Sequence, residues 1–159
     1  PAFAWRDRPA LAQAMAKHRD EGRRIVLTNG TFDLLHVGHV RSLQGARQLG
    51  DLLVVAINSD ESVRGYKGPG LPIQPEAERA EIVAALRYVD YVTIFDELTV
   101  DKVIECVQPH VHAKGTEYRP EDVPERATVE RFGGRIEIVG DPKAQSTSWL
   151  SSRIRAATS

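Results

Sequence analysis

The sequence predicts a single α/β domain built on a doubly wound sheet of about five parallel strands. Three observations carry this reading. Short apolar runs rich in β-branched residues recur along the chain, stretches of helical periodicity separate them, and 159 residues are enough for one core but too few for two ordinary ones. Strands that alternate with helices imply right-handed βαβ crossovers rather than a sandwich or a bundle. In such sheets ligands bind beyond the carboxyl ends of the strands.

A leading amphipathic helix is expected within residues 1–22, and the core of the domain over 24–155, inside one domain that spans 1–159. Asp7 is placed to cap the first helix, Pro9 lies in its opening turn, and Leu11, Ala14, Met15 and His18 follow at helical spacing until Gly22. The strands are expected at 24–28 (Arg-Ile-Val-Leu-Thr), 52–57 (Leu-Leu-Val-Val-Ala-Ile), 91–95, 111–114 and 135–139. Their near-continuous apolar character suits strands covered on both faces. Between them Val40, Leu43, Ala46 and Leu49 define one helix; Ala80, Val83, Ala84 and Arg87 a second; Val100, Val103, Ile104 and Val107 a third. Residues 65–75 hold Gly65, Gly68, Gly70, Pro69, Pro72 and Pro75, a composition that reads as a loop and a candidate lid. A short helix follows Pro124 and ends at Gly133 and Gly134, and 141–145 is a polar connector.

Hydrophobic residues at 42%, charged residues at 27% and a net charge of -1 are ordinary globular values. With both signs interspersed there is no basic stripe for nucleic acid or anionic lipid, so any phosphate binding must be local. Cys106 is the only cysteine; it reads as a buried thiol in an apolar stretch, which suits a reducing cytoplasm. Neither a membrane span nor a secretory signal is predicted.

The chemistry concentrates where the first strand runs into Asn29-Gly30-Thr31-Phe32-Asp33-Leu34-Leu35-His36-Val37-Gly38-His39. Gly30 permits close backbone approach, and a helix starting near Gly38 would present unpaired N–H groups and a positive dipole end to phosphate. His36 and His39, three apart, are expected to turn their rings the same way, with Gly38 leaving room between them for a triphosphate. Zinc binding is the weaker alternative, since no third ligand is evident.

Gly-Thr-Phe-Asp at 30–33 followed by His-x-Gly-His at 36–39 resembles the signature of the cytidylyltransferase-like nucleotidyltransferases, a Rossmann-like family. Ser146-Thr147-Ser148 matches its second signature, at the start of the last helix. Within the family the chain is similar to the adenylyltransferases that make ADP-heptose, over roughly residues 10–155. Asn58-Ser59-Asp60, Lys67-Gly68-Pro69-Gly70, Arg79-Ala80-Glu81, Val89-Asp90-Tyr91-Val92 and Lys114-Gly115 with Tyr118 carry that likeness. The sugar-kinase half to which some such enzymes are fused is absent from the sequence, so the resemblance implies the stand-alone form.

The resemblance implies that a sugar 1-phosphate, heptose 1-phosphate, attacks the α-phosphorus of ATP and that pyrophosphate leaves, with Mg²⁺ arriving on ATP and no metal site made by the protein itself. His36, His39 and Lys67 would be the catalytic groups. Thr31, Phe32, Lys114, Gly115, Glu117, Tyr118, Ser146 and Thr147 would join the histidines in binding nucleotide. Asp33, Asp60, Lys67 and Arg79 would hold the acceptor, Arg79 as a fork on its phosphate; the plainer roles are turn caps for the two aspartates and an exposed helix position paired with Glu76 for Arg79. Relatives of this size commonly form homodimers.

The chain departs from the heptose pattern at Thr31, Leu71, Thr116 and Glu117, where Cys, Arg, Gly and Asp are usual, and at Lys143-Ala144-Gln145. Leu71 removes a guanidinium near the acceptor loop, and Glu117 lies where the family reads the base. Alternatives are a cytidylyltransferase acting on glycerol 3-phosphate and a non-catalytic nucleotide sensor.

Overall fold

The computed structural model describes residues 5–140 and 147–158. Helix α1 spans Arg8–Asp20, and Asp7 caps it by accepting a 3.0 Å bond from the Ala10 N–H. There follow β1 (Ile25–Gly30), α2 (Val37–Arg47), β2 (Leu52–Asn58), α3 (Asp60–Lys67), α4 (Glu76–Ala84), β3 (Tyr91–Phe95), α5 (Asp101–Val107) and β4 (Val111–Lys114). A 3₁₀ turn at Pro120–Asp122, α6 (Arg126–Arg131), β5 (Arg135–Ile138) and α7 (Thr147–Thr158) complete the chain.

The five strands form one all-parallel sheet in the order β3-β2-β1-β4-β5. Alternation along the strands divides the interior into two cores. Val26, Leu53, Val55 and Ile57 face Leu43 and Ala46 of α2 and Ala80 and Val83 of α4. Ile25, Leu27, Leu52, Val54 and Ala56 face Leu11 and Met15 of α1, Val103, Ile104 and Val107 of α5, and Val129 of α6. Helices on both faces explain why β2 is buried at every position and carries no polar alternation. No helix among the described residues is long and apolar enough to cross a membrane.

Two expectations from composition are corrected. Asp60–Lys67 is helical although Gly65 was expected to open a loop: Ser59 caps the helix at the Ser62 N–H, and the tip of the exposed Leu98 side chain rests over Gly65, 2.6 Å from where a Cβ would lie. Cys106 is half-buried rather than enclosed; its Sγ contacts the Arg8 carbonyl at 3.5 Å, and burial pushes the thiol pKa up. The connector 141–145 lies outside the described residues.

Candidate active site

The site begins at a seam in the sheet. β1 pairs with β2 along its whole length but with β4 only at Val26↔Val111 and Leu27↔His112. Beyond Leu27 the two strands part, and side chains bridge the gap: Thr28 Oγ1 donates to the Ala113 carbonyl at 2.9 Å and Lys114 Nζ to Asn29 Oδ1 at 3.2 Å. Here the strand order reverses, from β1 toward β2 on one side and to β4 on the other, which is where open α/β sheets bind ligands. A cavity of about 740 Å³ opens there, lined by Thr28 to Asp33 and His36 to His39 after β1 and by Lys114 to Tyr118 after β4. That volume lies within the usual range for small-molecule sites.

His36 is the N-cap of α2. Its Nδ1 accepts from the Gly38 N–H at 3.1 Å, and His39 Nδ1 accepts from the His36 N–H at 3.2 Å, a reciprocal cap made by two imidazoles. Each neutral ring therefore carries its proton on Nε2, a donor on the edge away from the cap. The ring centroids are 3.9 Å apart at 33°. The rings do turn together, but no triphosphate fits between them, so a phosphate would meet their Nε2 edges. The Gly38 N–H is likewise occupied by the cap, which moves the expected anion donors from the main chain to the imidazoles. Phe32, at φ 53°, sets its ring 5.4 Å from that of His39 and fills the space beside Gly30, where a Cβ would meet it at 3.0 Å. The glycine makes room for this ring.

Thr31, Phe32, Asp33 and Lys67 all line the cavity. Thr31 Oγ1 hydrogen-bonds the Tyr66 hydroxyl, which ties the end of α3 to the loop after β1. Lys67 follows as the exposed last residue of that helix, its ammonium 5.6 Å from the Tyr66 ring centroid. Asp33 accepts from the Ile73 and Gln74 N–H groups at 2.7 and 3.0 Å, the turn-capping role. Of the residues 67–73, only Lys67 reaches the cavity wall, and Leu71 does not.

Arg79 departs furthest from expectation. It neither lines the cavity nor lies exposed against Glu76; its side chain is 0% exposed. Nε donates to the Gln74 carbonyl at 2.9 Å, Nη1 to the carbonyls of Thr31 at 2.7 Å and Asn58 at 2.8 Å, and Nη2 to Asp60 Oδ1 at 2.8 Å. The guanidinium clamps the ends of β1 and β2 to the chain entering α4. Asp60 is its counterion, and neither residue lines the cavity.

Across the seam Lys114, Gly115, Glu117 and Tyr118 line the opposite wall. Lys114 is 7% exposed; its ammonium lies 4.6 Å from the Tyr118 ring centroid and 2.9 Å from Glu125 Oε1. That oxygen also meets His112 Nε2 at 2.8 Å. Burial alone would raise the Glu125 carboxyl, but the His112 hydrogen bond and the Lys114 charge take it down to about 2. Burial holds His112 below its ordinary value, so the pair is a carboxylate accepting from a neutral imidazole. The Nδ1 of that ring is buried with no hydrogen-bond partner among the described residues. The sequence pointed to Lys114 but not to its partners His112 and Glu125. A histidine inside the short strand Val111–Lys114 was the visible signal for His112, and nothing linked it to Glu125. Ser146 lies outside the described residues, as does the Thr147 side chain.

An open parallel sheet with a cavity at its switch point, faced by paired histidines at the start of the helix after β1, defines an α/β domain of nucleotide-binding type. The chain belongs to the cytidylyltransferase-like family, whose profile matches residues 27–156. It is 51% identical over 149 residues to the bifunctional protein HldE of Geotalea uraniireducens (strain Rf4), covering 94% of this chain and 30% of that protein. With the bifunctional protein HldE of Pelobacter propionicus the identity is 49% over 149 residues, at the same coverage. The chain thus spans about 30% of the length of these curated relatives. Among solved structures it resembles the lipopolysaccharide core biosynthesis protein from Thermoplasma volcanium GSS1, with a TM-score of 0.66 and 27% identity over 78% of this chain and 100% of that one.

Proposed function

We propose that this domain transfers AMP from ATP to a sugar 1-phosphate, heptose 1-phosphate, forming ADP-heptose and pyrophosphate. The observation that carries this reading is the reciprocal histidine cap at the switch-point cavity, which fixes two Nε2 donors side by side. The likeness to the bifunctional HldE proteins and to a lipopolysaccharide core biosynthesis protein supports a sugar acceptor.

In this mechanism the sugar phosphate oxygen attacks the α-phosphorus in line with the departing pyrophosphate, and no covalent enzyme intermediate forms. Catalysis comes from position and charge. The Nε2–H groups of His36 and His39 hydrogen-bond the phosphate oxygens as negative charge builds, and the Lys67 ammonium, on the exposed end of α3, swings between donor and acceptor phosphates. Lys114 and the Tyr118 ring take the nucleoside end. Among the described residues no group of three or more His, Cys, Asp or Glu side chains is placed to hold a metal. Mg²⁺ would arrive on the triphosphate and would supply charge neutralisation there.

Pyrophosphate release, measured with ATP, CTP, GTP and UTP crossed against heptose 1-phosphate, hexose 1-phosphates and glycerol 3-phosphate, tests the proposal. Turnover with ATP and heptose 1-phosphate is expected. Turnover with CTP and glycerol 3-phosphate alone would overturn the substrate assignment, and silence throughout with ATP still bound would make the domain a sensor.

A further inference from the structure

Glu125 lines the cavity wall yet is only 6% exposed. Both of its protein partners, His112 Nε2 and Lys114 Nζ, end on Oε1, so Oε2 has no hydrogen-bond partner among the described residues. It is also not an enclosed orphan; among the described residues the buried side-chain atom without a partner is His112 Nδ1. Oε1 is thus anchored by two partners, while Oε2 is an accessible acceptor on a residue of the cavity wall. Beside it the Tyr118 ring, held 4.6 Å from the Lys114 ammonium, offers an aromatic face.

We infer that Glu125 is a specificity-determining residue whose Oε2 accepts a hydrogen bond from the 6-amino group of adenine, selecting ATP over 6-oxopurine nucleotides. This rests on the adenylyl-transfer reading above, with the phosphates at the histidines and the base across the seam. An ionised carboxylate only accepts, so an amino group at the 6-position satisfies it and a carbonyl there repels it. Lys114 neutralises the charge locally, so the carboxylate does not oppose the triphosphate. His112 contributes rigidity: the neutral ring donates through Nε2 and holds Oε1, which fixes the direction of Oε2.

The same anchoring predicts the outcome of Glu125→Gln. The amide oxygen takes the place of Oε1 against His112 and Lys114, which leaves the NH₂ group at the Oε2 position, and an acceptor becomes a donor. A site built to hydrogen-bond a substrate group discriminates strongly against analogues that lack it.

The test measures kcat/KM on the intact chain, with Mg²⁺ and a fixed sugar 1-phosphate, for ATP, for ITP, which carries a 6-oxo group, and for purine riboside triphosphate, which carries neither. For the unaltered protein ATP is expected to exceed purine riboside triphosphate by about 10-fold and ITP by about 100-fold, and in Glu125→Gln the ITP-to-ATP ratio rises by at least about 10-fold. The analogue comparison needs no variant, so poor folding of Glu125→Gln does not disable it. Equal kcat/KM for ATP and purine riboside triphosphate on the unaltered protein overturns the inference and leaves adenylyl transfer standing. A uniform fall for all three nucleotides in Glu125→Gln makes Glu125 purely structural and also overturns it. Absence of turnover with ATP and every sugar phosphate overturns both readings.

Discussion

Arg79→Leu should unfold the chain early rather than weaken one substrate. The substitution removes four hydrogen bonds from a fully buried guanidinium and leaves the carbonyls of Thr31, Asn58 and Gln74 and the Asp60 carboxylate without their donor. Removing one member of a buried ion pair costs about 3–5 kcal/mol. Asp60 is 27% exposed and recovers water, which lowers that figure, while the abandoned carbonyls add about 1 kcal/mol each. The net loss is placed at about 4 kcal/mol, which for a domain of this size corresponds to a fall in Tm of roughly 8–16 °C. Thermal melts followed by circular dichroism, run beside acceptor and ATP titrations of the folded fraction, measure it. A Tm within about 2 °C of the unaltered protein, with only the acceptor KM raised, would return Arg79 to the substrate and refute the clamp.

His39→Ala, measured by pyrophosphate release, is expected to lower kcat by about 100- to 1000-fold. It removes the acceptor for the His36 N–H, so its Tm should fall by only a few degrees. Acid should destabilise the fold in two stages, read as urea midpoints from pH 7 to 3. His112, held below its ordinary 6.5, stays neutral while the unfolded chain takes up a proton, so stability falls as pH drops below 6.5. Glu125, at about 2 against an ordinary 4.5, contributes fully above pH 4.5 and loses roughly 2–3 kcal/mol as pH falls toward 2, a loss Glu125→Gln should not show. Gly50→Ala and Gly65→Ala should differ in sign. At Gly50 a Cβ meets the Arg24 carbonyl and Val26 Cγ2 at 2.7 Å, and the cost is about 1–3 kcal/mol. At Gly65 the obstacle is the tip of the exposed Leu98 side chain, which can turn aside, so the helix gains up to about 1 kcal/mol in chemical denaturation.

The central strands were legible because burial on both faces demands apolar runs, as in residues 52–57 and 91–95, whereas β5 at the sheet edge keeps Arg135 and Glu137 and shows only two isoleucines in alternation. Helix α3 was hidden by its composition. Gly65 and the Gly and Pro residues after it read as a loop, while the cap that starts the helix is a single Ser59 hydroxyl on the Ser62 N–H. The histidine pair was visible as a motif, but its reciprocal capping depends on where α2 starts, one residue before the Gly38 start expected from sequence. Arg79 reads in sequence as an exposed helical arginine, since its partners are three main-chain carbonyls and carbonyls have no sequence signature. The Glu125 cluster forms only when the chain after β4 folds back over the strand to bring residue 125 to residue 112.

The double use of His36 has a consequence for anyone who would redesign this domain. Serine, aspartate or asparagine stops and caps a helix better than an imidazole does, and a ranking of positions by stability would mark residue 36 as an easy gain. That gain would come from deleting one of the two rings that, on the function proposed above, meet the phosphates, leaving the other alone on the main-chain N–H of residue 36. The domain keeps a second-rate helix stop at the one place where its chemistry requires a ring, so a hardened variant at position 36 would melt later and do less.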